Sequence, residues 1–442
     1  MAFALQHKVL TRGLIIPRCA SCGRDSKPLN TGGQGKRKIL IVFEQPSEAQ
    51  HEQDDWFAEH RFVYTVLRQR LGINPKEDCY VTGVYRCNVD TKPKKSVLGS
   101  SSQKPAKKPK YEDCVCGLYM AIKQTNPVLI ITVGSVATGA VLRLYNGAHF
   151  GLGRSYGQYV GRVIPLLKQD GYFGCWLAPV MSTEEIQSYN NPKQQMVAQL
   201  WFEKHIMNAY AKIADFDDVE QARPRPLEHP PIDYLYTQAE IVEALNEACM
   251  ADYTAFDYET NCLQPEPPFE KEIKDNKVRK PRVLCVALAY GNSEKMQRVV
   301  AFSMPELQEE KHFDKNRVVC AWRKFLRSKS KKIVANVKFE ERWSTVYYEQ
   351  PIENFYWDVC IGGRVLECIS GMSGLKYLTF VYFGVIGYDD DVSNFMDNED
   401  SRFNSLEDVS PLKLLKYNSF DSIYTYALAI IQHKELRIEW EK

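Results

Sequence analysis

The sequence predicts an α/β protein built from two domains in series. Three observations carry that prediction. Short apolar runs recur with helical stretches between them, as the buried strands of a largely parallel sheet do. At 442 residues the chain exceeds what one ordinary core holds. The stretch "DFDDVEQARPRPLEHPPIDY" (215–234) combines acids with four prolines and no apolar periodicity, which is linker composition. The expected division is a domain over 1–214, a linker over 215–235 and a second domain over 236–442.

In the first half, "KILIVFE" (38–44), "CYVTGVYRC" (79–87), "PVLIITVGS" (127–135) and "CWLAPV" (175–180) read as short strands of an α/β sheet. After the linker, "YTAFDYE" (253–259), "RVLCVALAYG" (282–291) and "RVVAFSM" (298–304) are closely spaced strands, followed mostly by helical pattern. That order predicts a second α/β or α+β domain with a mixed sheet. Within it, "IVANVKFEERW" (333–343) is a strand running into a helix, and "LLKYNSFDSIYTYALAII" (414–431) is a helix. No internal repeat is present.

Composition narrows the function classes. Hydrophobic content of 44% and charged content of 25% are those of a soluble globular protein, and no apolar run reaches the length of a membrane span. Lys8 and Arg12 interrupt the apolar N-terminus, and no signal-peptide cleavage pattern follows, so an intracellular protein with no membrane partner is expected. Thirteen cysteines scattered through a long chain argue for thiols or metal ligands over a disulfide framework. The net charge of +2 restricts any nucleic-acid surface to a local patch. One such patch is the insert 92–110, which holds Lys92, Lys94, Lys95, Lys104, Lys107, Lys108 and Lys110 and no acid. It reads as a flexible basic loop, either solubilising or a tether for a phosphate backbone.

The acids of the second half carry chemistry. Asp257 and Glu259 lie two residues apart on a strand, so both side chains leave the same face. Carboxylates held that close repel unless cations sit between them, and oxygen-rich sites suit Mg²⁺ or Mn²⁺. Glu340 falls at a strand–helix junction, where the helix dipole also favours an acid. Tyr417 and Asp421, four residues apart on a helix, share one side. Singly, each has a structural explanation, and their order along the chain is what joins them.

With "FDYET" (256–260), "NVKFEERW" (336–343), "WDVCIGGRVLE" (357–367), "SGLKYLTFVYFGV" (373–385) and "YNSFDSIYTYAL" (417–428), residues 235–435 resemble the 3′–5′ exonuclease (proofreading) domain of family A DNA polymerases. That domain belongs to the DEDDy branch of the RNase H-like exonucleases. The resemblance implies two Mg²⁺ or Mn²⁺ ions, with Asp257 bridging them, Glu259 and Asp421 completing the first site, and Glu340 holding the second. It also implies that Tyr417 orients the attacking water. The family usually has Asp where this chain has Glu340, and the longer side chain is expected to shift a water or metal position more than to abolish activity. Asn336 and Lys338 are expected to shape the second motif, and Asp358 to be structural. An acidic segment, 388–408, is expected as a solvated loop near the site. The chain contains no polymerase segment after this region, so a proofreading role implies a separate DNA polymerase.

In the first half, "CASC" brings Cys19 and Cys22, Cys87 follows a strand, and Cys116 opens a helix. Four such thiolates suit a [4Fe–4S] cluster or zinc. With "CASCG", "ILIVFEQPSEAQHE", "DCYVTGVYRC", "EDCVCGLYM" and "PVLIITVGSVATGAVL", residues 19–210 resemble the family 4-type uracil-DNA glycosylases, α/β/α sandwiches that carry a [4Fe–4S] cluster. The resemblance makes Cys19, Cys22, Cys87 and Cys116 the cluster ligands. The base pocket departs from the family. Glu44 and Pro46 remain of its first loop, but Phe43 and Ser47 stand where it has glycines, Gly83 replaces its base-reading Asn, and "APVMS" (178–182) lacks its His. The whole then reads as a metal-dependent 3′–5′ DNA exonuclease, acting on a single-stranded 3′ end and fused to a degenerate glycosylase-like domain. The alternatives are an active base-excision enzyme and a non-enzymatic scaffold for a polymerase.

Overall fold

The computed structural model describes residues 28–87, 111–146, 156–168, 174–216, 218–266, 271–273, 277–304, 315–367, 373–396 and 403–440. The chain divides into two compact units, Met1–Pro226 and Leu227–Lys442, each of mixed α/β architecture.

In the first unit, strands β1 (Ile39–Phe43), β2 (Cys79–Gly83), β3 (Leu129–Val133), β4 (Ile164–Leu166) and β5 (Cys175–Val180) form one sheet of order β2-β1-β3-β5-β4. All pairings are parallel except that of β4 with β5. Every residue of β1 and β3 is buried, as a sheet covered on both faces requires, which is why these strands read as unbroken apolar runs. The helices are α1 (Glu48–Glu52), α2 (Phe62–Leu71), α3 (Pro75–Asp78), α4 (Tyr111–Thr125), α5 (Ser135–Asn146), α6 (Thr183–Gln187) and α7 (Pro192–Ala211).

The second unit runs β6 (Ile232–Tyr234), α8 (Gln238–Met250), β7 (Tyr253–Thr260), a hairpin of β8 (Lys271–Ile273) and β9 (Lys277–Arg279), then β10 (Val283–Gly291) and β11 (Met296–Ser303). There follow α9 (Lys315–Arg327), β12 (Lys331–Val334), α10 (Val337–Tyr347), β13 (Phe355–Asp358), α11 (Val359–Glu367), α12 (Leu375–Phe383), α13 (Ser393–Met396) and α14 (Pro411–Leu436). Its main sheet has the order β13-β12-β7-β10-β11-β6 and is mixed: β10 runs antiparallel to β7 and β11, and the other pairs are parallel.

Strand β7 positions the site, because its two faces do different things. Phe256 and Tyr258 point to the face covered by α9, where their rings lie 5.7 and 5.6 Å from that of Trp322. The Trp322 indole donates to the Tyr258 hydroxyl at 2.9 Å, and the same hydroxyl pairs with Ser344 of α10 at 2.9 Å. Each large apolar side chain buried here stabilises by about 1.5–3 kcal/mol. Alternation then sends Ala255, Asp257 and Glu259 to the opposite face, where Ala255 packs with Ile423 and Ala427 of α14.

The segment expected as a linker is more ordered than its composition suggests. Arg223 ties it to the first unit, donating to the carbonyls of Pro127 (2.9 Å) and Gly174 (2.7 Å) and to Asn126 Oδ1 (3.0 Å). Ile232–Tyr234 then pairs with β11 as an edge strand of the second sheet. Proline is tolerated just before an edge strand, so Pro230 and Pro231 are compatible with pairing that their composition hides.

Candidate active site

Asp257 and Glu259 leave β7 opposite Ala287 and Cys285 of β10, and Asp421 reaches them from α14. One carboxylate oxygen from each of the three lies within 4.8 Å of the others, the only such group of His, Cys, Asp or Glu side chains among the described residues. Glu259 and Asp421 are buried and Asp257 partly so. Three negative charges in that space raise one another's affinity for protons. Burial, then Glu340, Asp421 and Glu259, push Asp257 well above the usual carboxylate range. Burial and Asp421 do the same to Glu259. Asp421 rises to about 6 through burial, while the hydrogen bond from Tyr388, the nearby Tyr417 phenol and the charge of Lys376 oppose the rise. Beneath them, the Cys285 thiol is pushed up by burial and then by Glu259 and Asp257.

The cluster is held by neutral donors. Asn418, fully buried on α14, donates to Asp257 Oδ2 at 2.7 Å. Tyr388 donates to Asp421 Oδ1 at 2.6 Å. The buried Tyr417 lies against the same group; its phenol is pushed up by burial and by Asp421, Glu259, Tyr388 and Asp257. Lys376 of α12 sits 5.8 Å above the Tyr417 ring.

Glu340 stands outside the 4.8 Å group but within its field. It lies in the first turn of α10, only 1% exposed, with Oε2 unpartnered. Burial and then Glu259 push its carboxyl well up. The position of α10 is set by Asp358. That carboxylate accepts from the backbone N–H groups of Asn336 (3.3 Å), Val337 (2.8 Å), Cys360 (2.8 Å) and Ile361 (3.2 Å), so it caps α10 and α11 together. Asn336 makes the turn into α10 with φ of 71°, and Lys338 is exposed.

Divalent cations fit this donor set. All the grouped atoms are carboxylate oxygens, the ligands that Mg²⁺ and Mn²⁺ take. A buried carboxylate oxygen without a partner, as at Glu340, is costly unless a proton or cation meets it.

The acidic segment does more than the expected solvated loop. Val392, Phe403 and Leu406 are buried, Tyr388 enters the site, and Asn404 donates to the Thr260 carbonyl at 2.8 Å at the end of β7. Composition was dominated by its acids, whereas its few apolar residues and Asn404 fix its path. Asn418, Tyr388 and Lys376 were not singled out from the sequence. Asn418 was legible in principle, as a polar residue on the Tyr417–Asp421 side of an apolar helix. Tyr388 carries no comparable signal, lying in a loop 33 residues before its partner.

In the first unit, Cys19, Cys22 and the lysines 92, 94, 95, 104, 107, 108 and 110 lie outside the described residues. Cys87 is buried and Cys116 half-buried. Their chain neighbours meet: a Cβ on Gly117 would come within 2.9 Å of the Arg86 side chain, which itself donates to the Leu29 carbonyl at 2.7 Å. Glu44 is half-buried and Pro46 buried at the end of β1. The altered positions have local structural uses. Phe43 stacks on Trp56 with centroids 6.2 Å apart, under the Arg61 guanidinium at 4.9 Å. Ser47 and Ser182 each close a capping box, at the start of α1 and α6. At Gly83 a Cβ would lie 2.6 Å from the Tyr85 carbonyl oxygen and 2.8 Å from the Trp56 ring, so no larger residue fits without rearrangement.

No protein-family model and no curated protein matches the sequence. Solved structures with partial likeness include Trypanosoma brucei RNase D in complex with GMP, at a TM-score of 0.34 and 16% identity over 45% of this chain and 56% of that chain. The catalytic core of RRP6 from Trypanosoma brucei gives 0.34 and 10% over 49% and 50%, and Brucella melitensis NrnC with bound Mg²⁺ gives 0.30 and 14% over 47% and 80%. The match thus spans less than two thirds of the RNase D and RRP6 chains. Among the described residues no helix is long and apolar enough to cross a membrane.

Proposed function

We propose that the second unit is a divalent-cation-dependent 3′–5′ exonuclease acting on nucleic-acid 3′ ends, with DNA as the substrate the sequence resemblance favours. The observation that carries the reading is the convergence of Asp257, Glu259 and Asp421 within 4.8 Å, beside Tyr417 on the Asp421 helix. Asp257, Glu259 and Asp421 would hold one cation, and Glu340 with Asp257 a second. When bound, such ions supply charge neutralisation at the phosphate and a more acidic water. The chain's own residues do the rest. Asn418 keeps the Asp257 carboxylate from rotating away, and Tyr417 offers a phenol that orients the attacking water by a hydrogen bond. Burial keeps that phenol protonated, as a donor must be. Glu340, one methylene longer than the family's Asp, reaches in from α10.

Incubating the full chain with Mg²⁺ or Mn²⁺ and end-labelled DNA or RNA tests this. Shortening from the 3′ end supports it, and intact substrate under both metals refutes it. RNA belongs in the test because one solved RNase D structure is a complex with RNA U12. Proofreading for a separate polymerase is the role this activity would serve.

For the first unit, the reading is a glycosylase-like domain without base excision, carrying a [4Fe–4S] cluster on Cys19, Cys22, Cys87 and Cys116, with zinc as the alternative metal. Closure of the space at Gly83 by Trp56 supports loss of the pocket, since a flipped base needs room and a hydrogen-bonding edge. The packing of Arg86 on Gly117, next to Cys87 and Cys116, supports a shared site. Absorbance near 400 nm that is bleached by dithionite would mark the cluster, and colourless protein with stoichiometric zinc would refute it (roughly the charge-transfer region of iron–sulfur thiolates).

A further inference from the structure

We propose that Tyr388, outside every motif of the chain, is a positioning residue for the carboxylate site: its hydroxyl fixes Asp421 while its ring fixes Tyr417. The assignment rests on the nuclease reading for its purpose and on the following contacts for its content.

The Tyr388 hydroxyl donates to Asp421 Oδ1 at 2.6 Å. Its ring stacks on Tyr417, with centroids 5.9 Å apart and planes at 23°, and meets Tyr424 edge-on at 5.2 Å and Phe420 at 6.2 Å. One side chain therefore touches both Tyr417 and Asp421 of α14. The backbone beside it is pinned. Gly387 has φ of +67° and a Cβ there would lie 2.8 Å from Asp390 Oδ2, so this turn requires glycine. Asp389 pairs with Lys376 at 2.5 Å, and its carbonyl accepts from Val392 (2.9 Å) and Ser393 (2.8 Å). Asp391 pairs with Lys413 of α14 at 2.7 Å.

The physical need is clear. Asp421 must present an oxygen to Asp257 and Glu259 although their charges repel it. A donor on Oδ1 fixes the carboxylate plane against that repulsion. Hydrogen-bond partners of ligating carboxylates change metal affinity or activity by about 10–100-fold when removed. A phenol that merely filled space would not need its hydroxyl.

The test is Tyr388→Phe in the full chain, which keeps the ring and removes the donor. Mn²⁺ binding followed by electron paramagnetic resonance is expected to weaken about tenfold. On a labelled oligonucleotide kcat is expected to fall by a similar factor with KM unchanged. Tyr388→His, which restores a donor, is expected to recover part of the Mn²⁺ affinity. Should Y388F not fold by circular dichroism, Tyr388→Met removes hydroxyl and ring together, and Mn²⁺ affinity weakened at least about tenfold is expected of it. Wild-type Mn²⁺ affinity in a folded variant without the hydroxyl overturns the proposal. If the tenfold gap in Mn²⁺ binding is present but no substrate is cleaved, the nuclease reading fails and the assignment of Tyr388 to the carboxylate site stands.

Discussion

Asn418 on α14 donates a 2.7 Å hydrogen bond to Asp257 on β7, 161 residues earlier in the chain. The bond ties the last helix of the unit to its central strand at the point where their carboxylates meet. It also brings a neutral donor to a carboxylate crowded by Glu340, Asp421 and Glu259.

Asn418→Ala is therefore expected to act on stability and activity together. A buried carboxylate that loses its partner costs about 1–3 kcal/mol, and exonuclease activity is expected to fall about tenfold as Asp257 loses its fixed orientation. Urea unfolding and kinetics on one oligonucleotide check both. A variant of unchanged stability and activity would show that the bond carries neither.

The carboxylates also give the metal-free protein a defined pH dependence. Burial pushes Asp421 up to about 6, and burial with the neighbouring charges holds Asp257, Glu259 and Glu340 well above the usual carboxylate range. In the unfolded chain such groups titrate near ~4. A raised folded pKa contributes stability that is complete below the unfolded value and lost as pH climbs through the folded one. The melting temperature without metal is thus expected to fall from pH 5 to pH 8, with Asp421 alone accounting for roughly 1–1.5 kcal/mol over that window. Mg²⁺ is expected to restore the loss at pH 8, and Asp421→Asn to make the fall shallower, with Asp257, Glu259 and Glu340 supplying the rest. A metal-free profile that is level or rising over that range contradicts the assignment.

Asp358→Ala separates scaffold from chemistry. Asp358 caps α10 and α11 at once, and each cap is worth about 1 kcal/mol or more. The expected loss is about 2–4 kcal/mol. At a temperature where the variant is still folded, Mn²⁺ affinity should stay within about threefold of wild type, since Asp358 ligates nothing in this account. A large loss of Mn²⁺ binding in the folded variant would make Asp358 part of the metal site.

Much of this site was legible in the sequence, and the remainder was hidden for identifiable reasons. Period-2 alternation put Asp257 and Glu259 on one face of β7, and helical spacing put Tyr417 and Asp421 on one side of α14. What spacing cannot reveal is which distant loop closes on those residues. Tyr388 is placed by the turn at Gly387 and by ion pairs of Asp389 and Asp391, long-range contacts without a local period. Ile232–Tyr234 hid in the same way, because an edge strand after two prolines has the composition of a linker.

Gly83→Asn probes the first unit. It introduces the residue type that family 4-type glycosylases use to read a base, into a space where even a Cβ meets Tyr85 and Trp56. Overpacking of this kind costs about 1–3 kcal/mol, and no abasic sites are expected in uracil-containing DNA. Measurable uracil excision by the variant would show that the pocket opens more readily than its packing allows.

The central claim is that Asp257, Glu259 and Asp421 form one cation-dependent hydrolytic site, and one measurement addresses it most directly. A single-stranded oligonucleotide labelled at its 5′ end is incubated with Mg²⁺ or Mn²⁺ and either the wild-type chain or Asp257→Ala. The account predicts a ladder that shortens stepwise from the 3′ end with wild type and, with the variant, a rate lower by more than about 100-fold. An intact oligonucleotide under both metals, or an identical ladder from Asp257→Ala, would contradict it.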